Sequence, residues 1–391
     1  MSNLEALLLL SICAGAFLMP FICRRLALPS PVGEILYGLC LGLFFKEEFH
    51  QTTIITFLGE LGFIMLMYLA GLEINFEKIK ITPKKELFLY ILMVIVVVLF
   101  SVGTTVFLQQ EPVYALLYLT TAVGLLFPVL KETEVLGSDT GQRLLIIGSI
   151  GEVVSLVSLT LFILYYRFGF SLQSLIHLGQ MAAFVLAAYI IYKLFRLLVW
   201  WFPVLSRPFL ETGDPAQSGI RANFVNMFFF VALAALLDME LIVGAFLGGM
   251  AFGLIFKKRE KVQKRIGAFA YGFLIPVFFI EVGLRFDIEN FLDIHVVVMG
   301  LVISFIIFFV RIMAALVLFL SPLSLMEIVL IPVSTSFSLT LLVAIAAFGL
   351  EQQIINQSQA ASILLAAILT ALIYPAITKR IIHSISQEKQ G

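Results

Sequence analysis

The chain has 391 residues, of which 61% are hydrophobic and 13% charged, and its 25 basic and 25 acidic side chains leave a formal net charge of +0. With a mean hydropathy of +1.08, so much apolar surface cannot be hidden in a soluble fold, and the composition specifies an all-α polytopic membrane protein embedded in a lipid bilayer. The net charge of zero says nothing by itself about nucleic acid, because where the charges sit matters more; no nucleic-acid partner is expected of a membrane-embedded chain.

Apolar runs predict about thirteen membrane-spanning helices, near 4–23, 31–46, 53–74, 86–108, 113–130, 144–166, 176–202, 222–238, 239–256, 267–286, 295–320, 325–349 and 357–378. The first run is preceded by Glu5 and followed by Arg24 and Arg25, which is the wrong flank pattern for a cleavable leader. Cys13, Cys23 and Cys40 fall in the first two runs without a CxxC pair, as inert buried thiols do. In span 2, Glu34 follows Pro31 in the first helical turn, where an acid suits the helix dipole. In span 3, Glu60 lies inside the apolar run, while Glu73 ends it beside Lys78 and Lys80 and is expected to reach the interface.

Span 5 contains "TTAVGLLFPVLKE", with Gly124 and Pro128 inside it, and is predicted to be broken. Span 6 reads "LLIIGSIGEVVSLVSLTLFILYY" and places Glu152 about 12 Å deep at ~1.5 Å per residue. An ionised carboxylate in hydrocarbon is costly unless it is paired, wetted or protonated. Ser149 and Ser155, three residues to either side, share its helical face and offer oxygen ligands, and Gly148 and Gly151 let another helix approach. The Pro- and Gly-bearing segment 202–219 reads as a link, and the short pair of spans 8 and 9 divides around Asp238 and Glu240. Span 10 carries Glu281, and span 11 carries Arg311 at a depth matching Glu152. Span 12 contains "IPVSTSFSLTLLV", with Pro332 and the hydroxyls of Ser334, Thr335 and Ser336, and is the second predicted break.

Twenty-one of the 25 Lys and Arg residues fall on one side of these spans and three on the other, with Arg311 left inside. The positive-inside rule then puts the N-terminus outside and the C-terminus in the cytoplasm. The chain also resembles itself. "VGEILYGLCLGLFF" (32–45) aligns with "VGAFLGGMAFGLIF" (243–256), and "GLEINFEKI" (71–79) with "GLRFDIENF" (283–291), at offsets of 211 and 212 residues. Residues 1–170 form a first repeat of six spans, 171–220 a connector holding span 7, and 221–391 a second repeat. The odd connector inverts the second repeat in the membrane, a plan of secondary transporters whose sites lie where broken helices meet. No cofactor is expected and no enzyme chemistry is visible: Glu152 is a ligand for a monovalent cation only, and Arg311 is its basic partner.

"LPSPVGEILYGLCLG" (28–42), "GELGFIMLMYLAGLEI" (59–74), "FPVLKE" (127–132), "VGAFLGGMAFG" (243–253) and "PVFFIEVGLRFD" (276–287) together resemble the bacterial monovalent cation:proton antiporter superfamily, in the branch of sodium/proton exchangers and potassium-efflux antiporters. The resemblance implies a core with two crossed broken helices, a dimerisation domain, homodimers and elevator-type movement in the bacterial inner membrane. It places the ion-binding acid at Glu152, the facing base at Arg311, and the polar crossing segment near Thr120 and Thr121. Members usually carry Asp where this chain has Glu152, and a single carboxylate with Arg resembles the electroneutral exchangers. Exchange of Na⁺ or K⁺ for H⁺ is the expected activity, with Glu60 and Glu281 as possible accessory acids. A sodium-coupled organic-anion carrier, or a non-transporting sensor derived from an antiporter, are the alternatives.

Overall fold

The computed structural model describes residues 3–26, 28–49, 53–74, 82–123, 125–126, 129–130, 133–169, 171–201, 217–237, 241–255, 260–286 and 293–388. Each of the thirteen apolar runs carries helix, and no strand occurs among the described residues. The helices are α1 (Asn3–Leu26), α2 (Ser30–Phe49), α3 (Thr53–Glu73), α4 (Lys84–Phe107), α5 (Pro112–Leu119), α6 (Asp139–Phe168), α7 (Leu172–Trp201) and α8 (Ser218–Leu236). They continue as α9 (Leu241–Ile255), α10 (Glu260–Phe269), α11 (Ile275–Leu284), α12 (Ile294–Ala315), α13 (Leu325–Thr335), α14 (Leu339–Glu351) and α15 (Gln357–Glu388). Nine helical spans among the described residues are long and apolar enough to cross a membrane, and Ser30–Phe45 and Leu241–Ile255 are shorter apolar helices. The division around Asp238 and Glu240, and the residues Gly124 and Pro128 of span 5, lie outside the described residues.

Departures from regular helix sit where the residues demand them. A π-helical turn, Ala270–Leu274, joins α10 to α11. Pro276 follows it and has no N–H to return to the carbonyl four residues back, so the ladder shifts by one residue there. Span 12 breaks between α13 and α14. Pro332 weakens the last turns of α13, and Thr335 Oγ1 and Ser336 Oγ donate to the carbonyls of Ile331 at 2.8 Å and Pro332 at 2.6 Å. Hydroxyls that bond the backbone in this way compete with helix continuation.

The internal repeat is visible as repeated contacts. A Cβ on Gly33 of α2 would meet Cys23 and Met19 of α1; one on Gly244 of α9 would meet Ala234 and Phe230 of α8, every residue displaced by 211. Gly71 of α3 lies on the Phe246 carbonyl and the Met250 N–H of α9, and Gly283 of α11 on the Ile35 carbonyl and the Leu39 N–H of α2. Gly62 meets the carbonyl of Leu274, its own counterpart in the other repeat. At Gly244, Gly71, Gly283 and Gly62 only a hydrogen atom fits against the facing backbone, whereas at Gly33 the space is taken by the Cys23 and Met19 side chains.

The chain packs into two compact units. The first comprises Met1–Leu18, Glu47–Phe76 and Thr160–Glu281, and the second Met19–Lys46, Glu77–Leu159 and Val282–Gly391. Both draw on both repeats, so these units differ in kind from the division at 1–170, 171–220 and 221–391, which follows sequence likeness. In the first unit, Tyr68 of α3 is buried and its hydroxyl donates to Asn223 Oδ1 at 2.8 Å, while Asn226 Nδ2 donates to Tyr68 Oη at 3.1 Å and to the Gly248 carbonyl at 3.0 Å. This closed network ties α3, α8 and α9 together.

Candidate functional site

The two broken spans meet in the second unit. Helix α5 stops at Leu119 because Thr120 turns to φ −58°, ψ 127°, and the Thr120 hydroxyl donates to the Leu117 carbonyl at 2.8 Å. Helix α13 stops at Thr335, and α14 restarts after Ser338. The last carbonyls of both α5 and α13 have no following turn to accept from, and each half-helix ends with partial negative charge.

Arg311 of α12 supplies what both ends lack. Its side chain is 1% exposed. Nε donates to the Thr335 carbonyl at 2.9 Å, Nη1 to the Tyr118 carbonyl at 3.1 Å, and Nη2 to the Thr120 carbonyl. Nη1 also donates to the Ile307 carbonyl of its own helix at 2.8 Å, and Nη2 lies 3.5 Å from Thr121 Oγ1. One guanidinium thus caps both half-helices, a use of its planar fork that a lysine cannot copy. Ser338 Oγ donates to the Thr120 carbonyl at 2.6 Å and joins the two breaks directly.

Glu152 lies on α6 beside the same crossing, where α6 packs on Thr121 and Val123. It is 1% exposed, and the backbone N–H of Val123, just past the break in span 5, is its polar neighbour. Its Oε2 atom is enclosed and has no hydrogen-bond partner among the described residues. Gly151 permits the approach: a Cβ there would stand 2.9 Å from Thr121 Cβ, and one on Gly148 would stand 3.1 Å from Val123 Cγ2. Ser155 Oγ accepts from the Thr121 N–H at 2.9 Å and donates to the Gly151 carbonyl at 2.7 Å, so it fastens the broken strand to α6. Ser149 is buried on the same helix.

Of the residues singled out in the sequence, Glu152, Ser155, Arg311, Thr120, Thr121 and Thr335 therefore come together around the crossing, while Gly124 lies outside the described residues. Ser334 and Ser336 are fully buried and donate to carbonyls of their own helix, Ile331 at 3.0 Å and Pro332 at 2.6 Å. Arg311 makes no ion pair with Glu152; its donors go to carbonyls. Glu60 and Glu281 belong to the first unit. Glu60 is exposed on α3, and Glu281 is buried, its Cγ 3.0 Å from where a Cβ on Gly59 would stand.

Sequence reasoning did not reach Ser338, the Val123 N–H or a second cluster at the start of span 12. There, Glu327 accepts from Thr140 Oγ1 at 2.7 Å and Arg143 Nη1 at 3.2 Å, and forms a capping box with Ser324. Arg143 Nε also lies 3.8 Å from Glu86 Oε2, which accepts from the Tyr90 hydroxyl at 3.0 Å. The Ser-x-x-Glu spacing before an apolar run was the available signal.

Two repeats, paired broken helices and a buried carboxylate at their crossing follow the architectural plan of secondary transporters. The model of the transmembrane sodium/hydrogen exchanger matches residues 13–383, and the chain belongs to that family. It is 31% identical over 298 residues to the YjbQ protein of Bacillus subtilis, covering 70% of this chain and 46% of that one. The chain thus spans about half the length of this relative. To the Na⁺/H⁺ antiporter of Enterococcus hirae it is 27% identical over 274 residues, 69% of this chain and 70% of the relative. The fold matches the sodium proton antiporter MjNhaP1 of Methanocaldococcus jannaschii with a TM-score of 0.65 at 17% identity, over 97% of this chain and 98% of the other.

Proposed function

We propose that this protein is a secondary antiporter that exchanges a monovalent cation, Na⁺ or K⁺, for H⁺. The observation that carries the reading is Glu152: a carboxylate at a helix break, with one oxygen enclosed and unpartnered, in a chain of the sodium/hydrogen exchanger family. A buried carboxylate in that position has to hold either a proton or a cation, because leaving it ionised and bare is costly. Binding one displaces the other, and competition at a single site is the chemical basis of exchange. The antiport activity named for the Enterococcus hirae relative supports this.

The rest of the machinery follows from charge. Arg311 neutralises the C-terminal ends of α5 and α13, so its positive charge is spent on helix dipoles and stays in place while the load on Glu152 changes. Ser149 and the carbonyls of the breaks are the other oxygen ligands open to a dehydrated cation. One titrating carboxylate per cycle gives one cation for one proton, hence electroneutral exchange. In the full reading the unit that holds Glu152 carries the ion by elevator-type alternating access, within a homodimer in a bacterial inner membrane.

The test is purified protein in liposomes with a trapped pH dye, challenged in turn with Na⁺, K⁺ and Li⁺, with and without a clamped membrane potential. The expected result is cation-evoked proton movement, insensitive to the potential, in the wild type, falling at least about a hundredfold in Glu152→Gln, the scale set by a missing essential proton carrier. Absence of movement with every cation overturns the antiport reading.

A further inference from the structure

The second unit holds another buried carboxyl that the exchange cycle above does not use. Glu34 stands one turn into α2, about 6 Å along the axis from Ser30, and is 3% exposed. Among the described residues it has no hydrogen bond and no ion pair, and its electrostatic neighbour is the thiol of Cys23 on α1, which packs against Gly33. Arg24 and Arg25 at the end of α1 are exposed. Residues 284–286 pack on α2 at Gly42, and their Arg285 has Nη1 3.7 Å from Glu351 Oε2.

Two features separate Glu34 from an acid that merely fills space. Its oxygens, although unpartnered, are not among the fully enclosed atoms that include Glu152 Oε2, so they retain a little accessible surface. The repeat also contains an internal control. Position 34 corresponds to 245 at the 211-residue offset, and Ala245 is completely buried in the matching helix α9. The fold accepts a methyl group at that place, so helix packing does not require an acid there. A lone carboxyl held in apolar surroundings, with its oxygens not fully enclosed and no fixed counter-charge, is suited to taking up and releasing a proton.

We propose that Glu34 is a second proton-binding carboxyl, exchanging H⁺ with water at the N-terminal end of α2 and tuning the pH dependence of the exchange at Glu152. The second half of this statement rests on the antiport reading; the first does not. The protein in liposomes is treated across a pH series with dicyclohexylcarbodiimide, which adds to protonated carboxyls in apolar surroundings, and adducts are located by peptide mass spectrometry. Labelling of Glu34 is expected to fall about tenfold per pH unit above its midpoint, as a single titrating group requires. It is expected to persist in Glu152→Gln.

In parallel, Glu34→Gln and Glu34→Ala are expected to move the pH midpoint of cation-evoked proton flux by about one unit, with thermal unfolding unchanged. Glu34 labelling that ignores pH, or a Glu34→Gln flux profile that superimposes on the wild type, overturns the proposal. If the wild type moves no protons with any cation, the antiport reading has failed, and the labelling still decides whether Glu34 binds a proton.

Discussion

Arg311 shows how a charge can be buried in this fold without a counter-ion among the described residues. Its guanidinium donates to the carbonyls of Tyr118, Thr120, Ile307 and Thr335, three of which end interrupted helices. Hydrogen bonds from a charged group are worth about 1.5–3 kcal/mol each, and a buried carbonyl left unpaired costs about 1–3 kcal/mol. Arg311→Met, which keeps the length and removes the donors, is therefore expected to cost several kcal/mol in total, read as a large drop in the thermal unfolding temperature in detergent. Arg311→Lys is expected to fall between the two, because one ammonium cannot reach Thr335 and Tyr118 together. Equal stability of the methionine variant and the wild type would mean that the breaks find other donors. Matching depth and opposite sign had made Glu152 the natural partner of Arg311 in the sequence. Backbone carbonyls leave no mark in a sequence, so the guanidinium's actual partners were not legible there.

At the scale of elements, the repeat and the breaks were legible because each depends on residue types that cannot be exchanged. Glycines recur at offsets of 211 and 212 because the helix pairs α1–α2 and α8–α9, and α3–α9 and α2–α11, approach closely there. Pro332 followed by three hydroxyls marked the second break, and Thr120–Thr121 the first. The Ser155 bond to the Thr121 N–H depends on the path of an unwound segment, which no periodicity describes. The contacts predict a sharp contrast among glycines. A Cβ at Gly71 or Gly283 would strike a carbonyl of the facing helix, and backbone has no rotamer with which to yield. Alanine at either place is expected to cost about 1–3 kcal/mol, the usual penalty of overpacking. Gly103 on α4 has nothing within 4 Å of a Cβ, and Gly103→Ala is expected to be neutral or to gain up to about 1 kcal/mol from helix propensity. Thermal unfolding of the three variants side by side checks this. A Gly103→Ala loss equal to that of Gly71→Ala would show that these glycines act through helix flexibility rather than close approach.

At the scale of the whole molecule, charge alone sets the expected sidedness. Placing twenty-one Lys and Arg on one face of the membrane and three on the other leaves little competition from the inverted arrangement. If the N-terminus is outside, the turn between α4 and α5 is outside as well, and the segment between span 5 and α6 is cytoplasmic. Both sites have an exposed residue for a probe: Glu111 at the start of α5 and Gly137 just before α6, the latter with open space around a Cβ. In a background where Cys13, Cys23 and Cys40 are replaced by Ala, a membrane-impermeant thiol reagent is expected to label Glu111→Cys in intact cells. Gly137→Cys is expected to react only after permeabilisation. The opposite pattern would turn the molecule over. It would move the shared start of α4, α6 and α13, where Arg143 bridges Glu86 and Glu327, from the cytoplasmic to the outer face. It would also place Glu34 within reach of external rather than cytoplasmic protons. The labelling therefore decides which compartment's pH Glu34 would report.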